Sequence, residues 1–387
     1  MNRRMKFGVE EEYFITDLST RCMPGAPPAE AVAACQAELG KHFAHEMFQC
    51  QVEMASPIFR SLPEAADYLN QVRTGLNQRL APYGLGLLSA GSHPMATQVL
   101  QPTDELHFQQ LFDDYQRVAR RSVLSGLHVH VEVPATQDRV RIMNEVLPWL
   151  PMFLALSASS PFWNGGYSGF SSYRQVACDE WPRMGVPEYF EDESAFGGYV
   201  DMLMRTGSIR QASDCWWVIR PSSRYPTLEL RICDACPRAD DVLCLVSLFR
   251  LMVAHAVTQR RPGARYSQMS QWILKENRWR AKRHGILAEF IVEGQEQPML
   301  IGEWLTLAEQ TFGETAAELG VQDVFKQARA IVQEGTSADR QIVLYEQGLL
   351  LGDSVEQALS RVVDQLLAET AGRPVADPAL QQVAGGP

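Results

Sequence analysis

The 387-residue chain has none of the compact motifs by which a sequence usually announces its chemistry: no Walker A loop, GxGxxG fingerprint, nucleophile elbow or zincin helix. If a nucleotide is used, its phosphates must therefore be held by cations and arginines on strands, not by a glycine loop at a helix N-terminus. Positive charge is also scarce. Lys and Arg number 35 against 46 Asp and Glu, a net charge of -11, which disfavours nucleic acid or an anionic membrane as partner but permits a small anion in a local basic pocket. Uninterrupted apolar runs are missing: residues 146–158 contain Pro148 and Pro151, and residues 242–257 contain Arg250 and His255. Both stretches suit core helices, so no membrane partner is expected. No apolar segment follows Arg3, Arg4 and Lys6, so a signal peptide is not expected and the location reads as cytoplasmic. The eight cysteines show no framework spacing and read as reduced, packed thiols; Cys233-Asp234-Ala235-Cys236 is a lone CxxC, better suited to packing than to metal or redox use.

The hydrophobic content of 46% is enough to bury a large core. Strand-type alternation falls at residues 7–16, 45–55, 85–90, 127–133 and 227–233. Helical patterns lie between them, at 63–80 (Pro63 at its start; Ala66, Leu69, Val72, Leu76 and Leu80 on one face), 104–122 and 138–147. From Asp240 onward the pattern is helical alone, over 240–260, 271–284, 302–319, 321–334 and 338–371, with no strand. Strands mixed with helices, followed by helices only, predict an α+β architecture with an antiparallel or mixed sheet and disfavour a dinucleotide fold. A single domain is expected over residues 1–371, strand-containing to about 238 and helical from 239, with a Pro/Gly/Ala-rich flexible tail at 372–387. Residues 160–193 make too long a connection to be only a connection, and read as a lid or binding loop.

The chemistry lies on the strands. Glu10-Glu11-Glu12 sits inside an apolar run, and in an extended strand Glu10 and Glu12 share one face while Val9, Glu11 and Tyr13 share the other. Two carboxylates about 7 Å apart on one strand face repel, so the segment is either a solvated edge or a site for a positive partner, for which a divalent cation with oxygen ligands is the economical choice. In Gly126-Leu127-His128-Val129-His130-Val131-Glu132 the histidines and Glu132 share a face, and imidazoles in that pattern serve as metal ligands or as hydrogen-bond partners of phosphate or carboxylate. Thr227, Glu229 and Arg231 share a face opposite Leu228, Leu230 and Ile232. That pattern is either an internal ion pair or, with Arg220 nearby, a metal carboxylate beside guanidinium groups suited to phosphate. Glu46 and Glu53 lie an odd number of residues apart, so only a bend would bring both to one site; Gln51 shares the Glu53 face. Ser92-His93-Pro94 is a turn whose imidazole reads as structural.

Taken in order, Gly8-Val9-Glu10-Glu11-Glu12-Tyr13, Gln51-Val52-Glu53, Gly91-Ser92-His93-Pro94, Gly126-Leu127-His128-Val129-His130-Val131, Ser172-Tyr173-Arg174, Ile219-Arg220-Pro221-Ser222 and Thr227-Leu228-Glu229-Leu230-Arg231 with Asp234 resemble the bacterial glutamate-cysteine ligase type 2 family, the carboxylate-amine ligases. The matches run over roughly residues 7–240. The resemblance implies a glutamine-synthetase-like catalytic fold whose antiparallel sheet forms a funnel, ATP and Mg2+ as cofactors, and a homodimer. It implies that ATP phosphorylates a carboxylate, usually the γ-carboxylate of glutamate, and that an amine such as cysteine attacks the acyl phosphate with release of ADP and phosphate. Carried onto this chain, it gives Glu10, Glu12, Glu53 and Glu229 as magnesium ligands. Arg220 and Arg231 would contact phosphate or substrate carboxylate and act with Glu229 in catalysis; His128, His130 and Arg174 would sit at the nucleotide. The chain departs from the pattern at Val218, Pro226 and Glu132, the last an extra carboxylate beside the histidines that would alter metal count or acceptor pocket. Two other readings compete: a hydrolase in which His128, His130 and a carboxylate hold zinc, and a non-catalytic ligand-binding protein on the same fold.

Overall fold

The computed structural model describes residues 5–96, 100–258 and 267–373. Alternation of apolar and polar residues over Phe7–Asp17 makes the long strand β1, and the sheet is built around it. Strands β2 (Phe43–His45), β3 (Gln51–Ala55), β4 (Leu85–Leu88) and β5 (Gly126–Glu132) come next in the chain. A small hairpin, β6 (Phe162–Trp163) with β7 (Gly166–Tyr167), precedes β8 (Ile219–Pro221) and β9 (Thr227–Asp234). The sheet runs β2-β3-β1-β5-β9-β8 with every pairing antiparallel, and β4 pairs with the Phe14–Asp17 end of β1.

Val9, Tyr13, Val129, Val131, Leu228, Leu230 and Ile232 are buried on one face of this sheet, as the alternation requires. Helices Ala239–Thr258, Leu62–Leu80 and Leu150–Ser157 close over them. Leu62–Leu80 starts where its sequence says it should: Ser61 and Glu64 form a reciprocal cap, with Pro63 in the first turn. Its buried stripe is Ala65, Leu69, Val72, Leu76 and Leu80, with Ala65 in place of the expected Ala66. Arg73 lies buried in the same stripe. Helix Ala239–Thr258 is long and apolar enough to cross a membrane, yet 78% of its most apolar window is buried inside the protein. The Arg250 guanidinium sits over the Phe7 ring and donates to the Met5 carbonyl at 3.1 Å.

Several expected elements are broken. The strand expected at 45–55 is a hairpin, β2 and β3 antiparallel to each other, with the chain reversing through 46–50. Residues 104–122 form two helices, Leu106–Tyr115 and Arg117–Arg121, because Gln116 takes a positive φ that no helix continues through. Residues 338–371 likewise divide into Ser337–Leu350 and Val355–Thr370; Gly352 turns the chain at φ 94° and Ser354 caps the second helix. The helical third also holds a two-residue pairing, β10 (Glu289–Phe290) with β11 (Met299–Leu300). The tail expected at 372–387 falls, from residue 374 on, outside the described residues.

Candidate active site

The sheet face opposite the core carries a row of charged side chains that the strand registers align. Glu53 of β3 is the partner of Glu12 of β1, Glu10 is the partner of His128 on β5, His130 is the partner of Glu229 on β9, and Glu229 is the partner of Arg220 on β8. A register shift between β5 and β9 falls at His128, so β9 gives two residues against one there.

At one end the row is acidic. Glu12, Glu46 and Glu53 each place a carboxylate oxygen within 4.8 Å of the others. Glu46 reaches this point through the chain reversal after β2, the bend that its odd separation from Glu53 demands. Burial, reinforced by Glu46, pushes the Glu12 carboxyl up to about 8 despite Arg174 and an amide hydrogen bond from Gly126 at 2.6 Å. Burial and then Glu10 and Glu46 hold Glu53 well above the usual carboxylate range, and burial raises Glu46 too. Three carboxylates this close, Glu12 buried and Glu46 and Glu53 half-buried, cannot all ionise without a cation among them. An oxygen-only donor set of this kind fits magnesium.

The middle of the row is balanced. Glu10 faces His128 Nδ1 and His130 Nε2, each at 3.2 Å; burial alone would raise its pKa, but the two imidazoles outweigh burial and hold it well below the usual range. His128 Nε2 also lies 3.5 Å from Glu12. Burial, with Arg231 nearby, lowers the His128 pKa to about 4. His130 Nδ1 lies 3.0 Å from the Thr227 hydroxyl.

At the other end, Glu229 accepts from Arg220 at 2.8 and 3.1 Å and from Arg231 at 2.5 Å. Burial opposes its ionisation, and the two guanidiniums overcome that and hold it far below the usual range. Arg220 also donates to the carbonyls of Ser213 and Cys215, so its fork is fixed. Glu10, His128 and Glu229 form a second group with atoms close enough to share an ion.

The segment 160–193 is pinned, not loose. Ser160 and Ser172 donate their hydroxyls to buried Asp234 at 2.7 and 2.9 Å, and Ser171 and Ser172 amides donate to the Lys282 carbonyl. This places Arg174 beneath β9, where it donates to the Cys233 carbonyl at 3.0 Å and lies 3.8 Å from Asp234. A Cβ at Gly126 would collide with that guanidinium and stand 3.2 Å from His128 Nε2, so only glycine fits there. Glu132 lies apart from the row, paired with Lys6 at 3.3 Å, and adds no carboxylate to it. His93 is a buried structural histidine, its Nε2 3.1 Å from the Thr16 hydroxyl and its Nδ1 accepting from the Met95 amide. Cys233 and Cys236 are free and buried.

The model of the glutamate-cysteine ligase family 2 matches residues 6–365. The chain belongs to that family. A Pseudomonas fluorescens protein, provisionally named glutamate–cysteine ligase 2, is 50% identical over 364 residues, 94% of each chain. A Pseudomonas putida protein of the same provisional name is 44% identical over 94% of this chain and 98% of its own. Among solved structures, the Francisella tularensis glutamate–cysteine ligase in complex with AMP shares the fold at TM-score 0.69 and 12% identity, over 99% of this chain and 95% of that one. A bifunctional glutathione synthetase from Pasteurella multocida does so at TM-score 0.73 and 14% identity, over 95% of this chain and 52% of that one. The architecture is the α+β one, with an antiparallel sheet, that the resemblance implies, and it is the fold of these two ligases. Family membership makes the protein an ATP-dependent ligase that joins a carboxylate to an amine through a carbon–nitrogen bond. The hydrolase and non-catalytic readings find no support.

Proposed function

We propose that the charged row is the active site of this ligase, that the carboxylate phosphorylated is the γ-carboxylate of glutamate, and that Mg2+ with ATP is held along the row. Glu12, Glu46 and Glu53 would hold one ion, and Glu10 and Glu229 would line a second position with His128. Bound magnesium supplies charge neutralisation for the transferring phosphoryl group. Arg231 and Arg220, which hold Glu229 here, are the cations available to phosphate, and His128, His130 and Arg174 border the nucleotide. A homodimer in the cytoplasm completes the reading, and light scattering of the purified protein tests the assembly.

The observation that carries this reading is the oxygen trio, largely shielded from solvent and short of positive charge, beside an arginine pair. Phosphoryl transfer needs that combination more than it needs a protein nucleophile. The test is purified protein with magnesium and ATP, with glutamate scanned against amines while ADP and amide are measured. ADP release that ignores both the carboxylate and the amine would end this reading.

A further inference from the structure

The acidic end of the row borders a cavity of about 200 Å³, and Glu12, Glu46 and Arg231 stand in its wall. Phe108, Leu111, Trp181, Met184 and Trp216 give the same cavity an apolar and aromatic wall, with Ser122 and Gln175 beside it. Trp181 and Trp216 meet nearly edge to face, their ring centres 5.5 Å apart at 78°, and so present two sides of a corner. Both are backed by Tyr115, and the Trp181 indole N–H is fixed on the Ser122 hydroxyl at 2.7 Å. Arg174 is a buried cation in the same wall.

A substrate seated here with its reacting group beside Glu12 and Glu46 sets its remainder against the corner. Glutamate as acyl donor does not suit that orientation, because beyond its reacting carboxylate it has no large apolar group to set against the indole walls. Cysteine as amine suits it poorly, because a CH2SH group covers little of a corner this wide and leaves its walls without contact. A large apolar side chain satisfies both requirements.

We infer that the amine substrate is an α-amino acid with a bulky apolar or aromatic side chain, seated in the Trp181–Trp216 corner with its carboxylate received by the Arg174 guanidinium. This rests on the ligase reading above with glutamate as donor. In the step concerned, the amine nitrogen bonds to the acyl carbon of the phosphorylated glutamate and the carbon–oxygen bond to phosphate breaks. Inorganic phosphate leaves with that electron pair, and the nitrogen gives up one proton.

The test is an amine panel on the unaltered protein with glutamate, ATP and magnesium, comparing cysteine, alanine, leucine, phenylalanine, tryptophan and phenethylamine by ADP release and product mass. At least one of leucine, phenylalanine and tryptophan should exceed cysteine and alanine in kcat/KM by roughly tenfold or more. Phenethylamine, which lacks the carboxylate, should fall roughly tenfold or more below phenylalanine. Trp216→Ala should lower the phenylalanine-to-alanine ratio by about tenfold, and Trp216→Phe by less. Cysteine or alanine matching the bulky amino acids would overturn the inference. So would a Trp216→Ala protein with a raised KM for ATP and an unchanged amine ratio, which would give the corner to the nucleotide base. Turnover with small amines only sinks this inference and leaves the ligase reading standing; no amine-dependent turnover at all sinks the ligase reading itself.

Discussion

Glu10 and Glu12 on one side of β1, and Glu11 on the other, are the same residue type in one tripeptide, placed in opposite electrostatic circumstances. Glu11 is buried in the core, where its two oxygens meet the Arg73 guanidinium and the Tyr13 hydroxyl. Arg73 spends its other donors on the carbonyls of Cys236 and Pro237, so the group ties β1, helix Leu62–Leu80 and the turn after β9 together. Both charges of this group, Glu11 and Arg73, are paired. On the opposite side, Glu12 meets Glu46 and Glu53, with negative charge in excess. A surplus that folding does not neutralise is a binding site for what would neutralise it, whereas a paired charge belongs to the scaffold. Deleting a carboxylate should therefore have opposite consequences on the two sides.

The largest effect is expected from Glu12→Gln. With a ligand of the proposed ion removed, glutamate-dependent ADP release should fall roughly a hundredfold or more. The melting temperature without magnesium should hold or rise, since one of three crowded acids is gone. A Glu12→Gln protein that melts well below the parent would make Glu12 part of the scaffold and erase the contrast. Glu229→Gln should also lose most turnover, but here two guanidiniums lose their shared counter-charge, so a drop in stability should accompany it.

Next comes Glu11→Gln, which leaves Arg73 buried beside a neutral partner and should cost about 3 kcal/mol of stability. Denaturant melts give that number. The folded fraction should retain its kcat, and a loss of kcat larger than the loss of folded protein would place Glu11 in the chemistry after all.

A smaller and graded effect is expected from pH. The Glu12 carboxyl is pushed up to about 8 when folded, so below that pH it holds a proton that an incoming ion must displace. Magnesium affinity should therefore climb as pH rises from 6 to 8, by up to about tenfold per unit. A raised folded pKa stabilises the ion-free protein at acid pH, and that contribution is lost as pH rises through about 8. Calorimetry in buffers of different ionisation heat reads the released proton directly; an affinity that is flat across this range would show the trio already ionised.

Much of this contrast was legible in the sequence, because strand alternation alone assigns Glu10 and Glu12 to one face and Glu11 to the other, and the valines around His128 and His130 do the same for β5. Helix Leu62–Leu80 was legible from Ser61, Pro63 and Glu64 at its start. Glu46 was not, because its place depends on the reversal at residues 46–50, which periodicity read as a continuous strand. Gly352, Asp353 and Ser354 did carry a turn-and-cap signal inside the long C-terminal helical pattern, and the pattern overrode it. Arg73 was hidden for another reason. A lone arginine on an apolar helix stripe has no local signature, and only the packing of that helix on β1 reveals its partner.

The smallest effect is expected at Glu132, and it probes where the functional face ends. Alternation places this carboxylate on the side of His128 and His130, and proximity along the strand suggested a further ligand. The sheet instead carries it to the far end of β5, where it is half-exposed and pairs with Lys6 at 3.3 Å. An exposed pair of this kind contributes about 0 to 1 kcal/mol, so Glu132→Gln should change stability by less than about 0.5 kcal/mol and leave kcat and magnesium affinity as they were. A measurable shift in magnesium affinity would extend the metal site past His130. Its absence would show that sharing a strand face is necessary for membership of the site but not sufficient, since a side chain must also lie opposite the residues that register brings from β1 and β9.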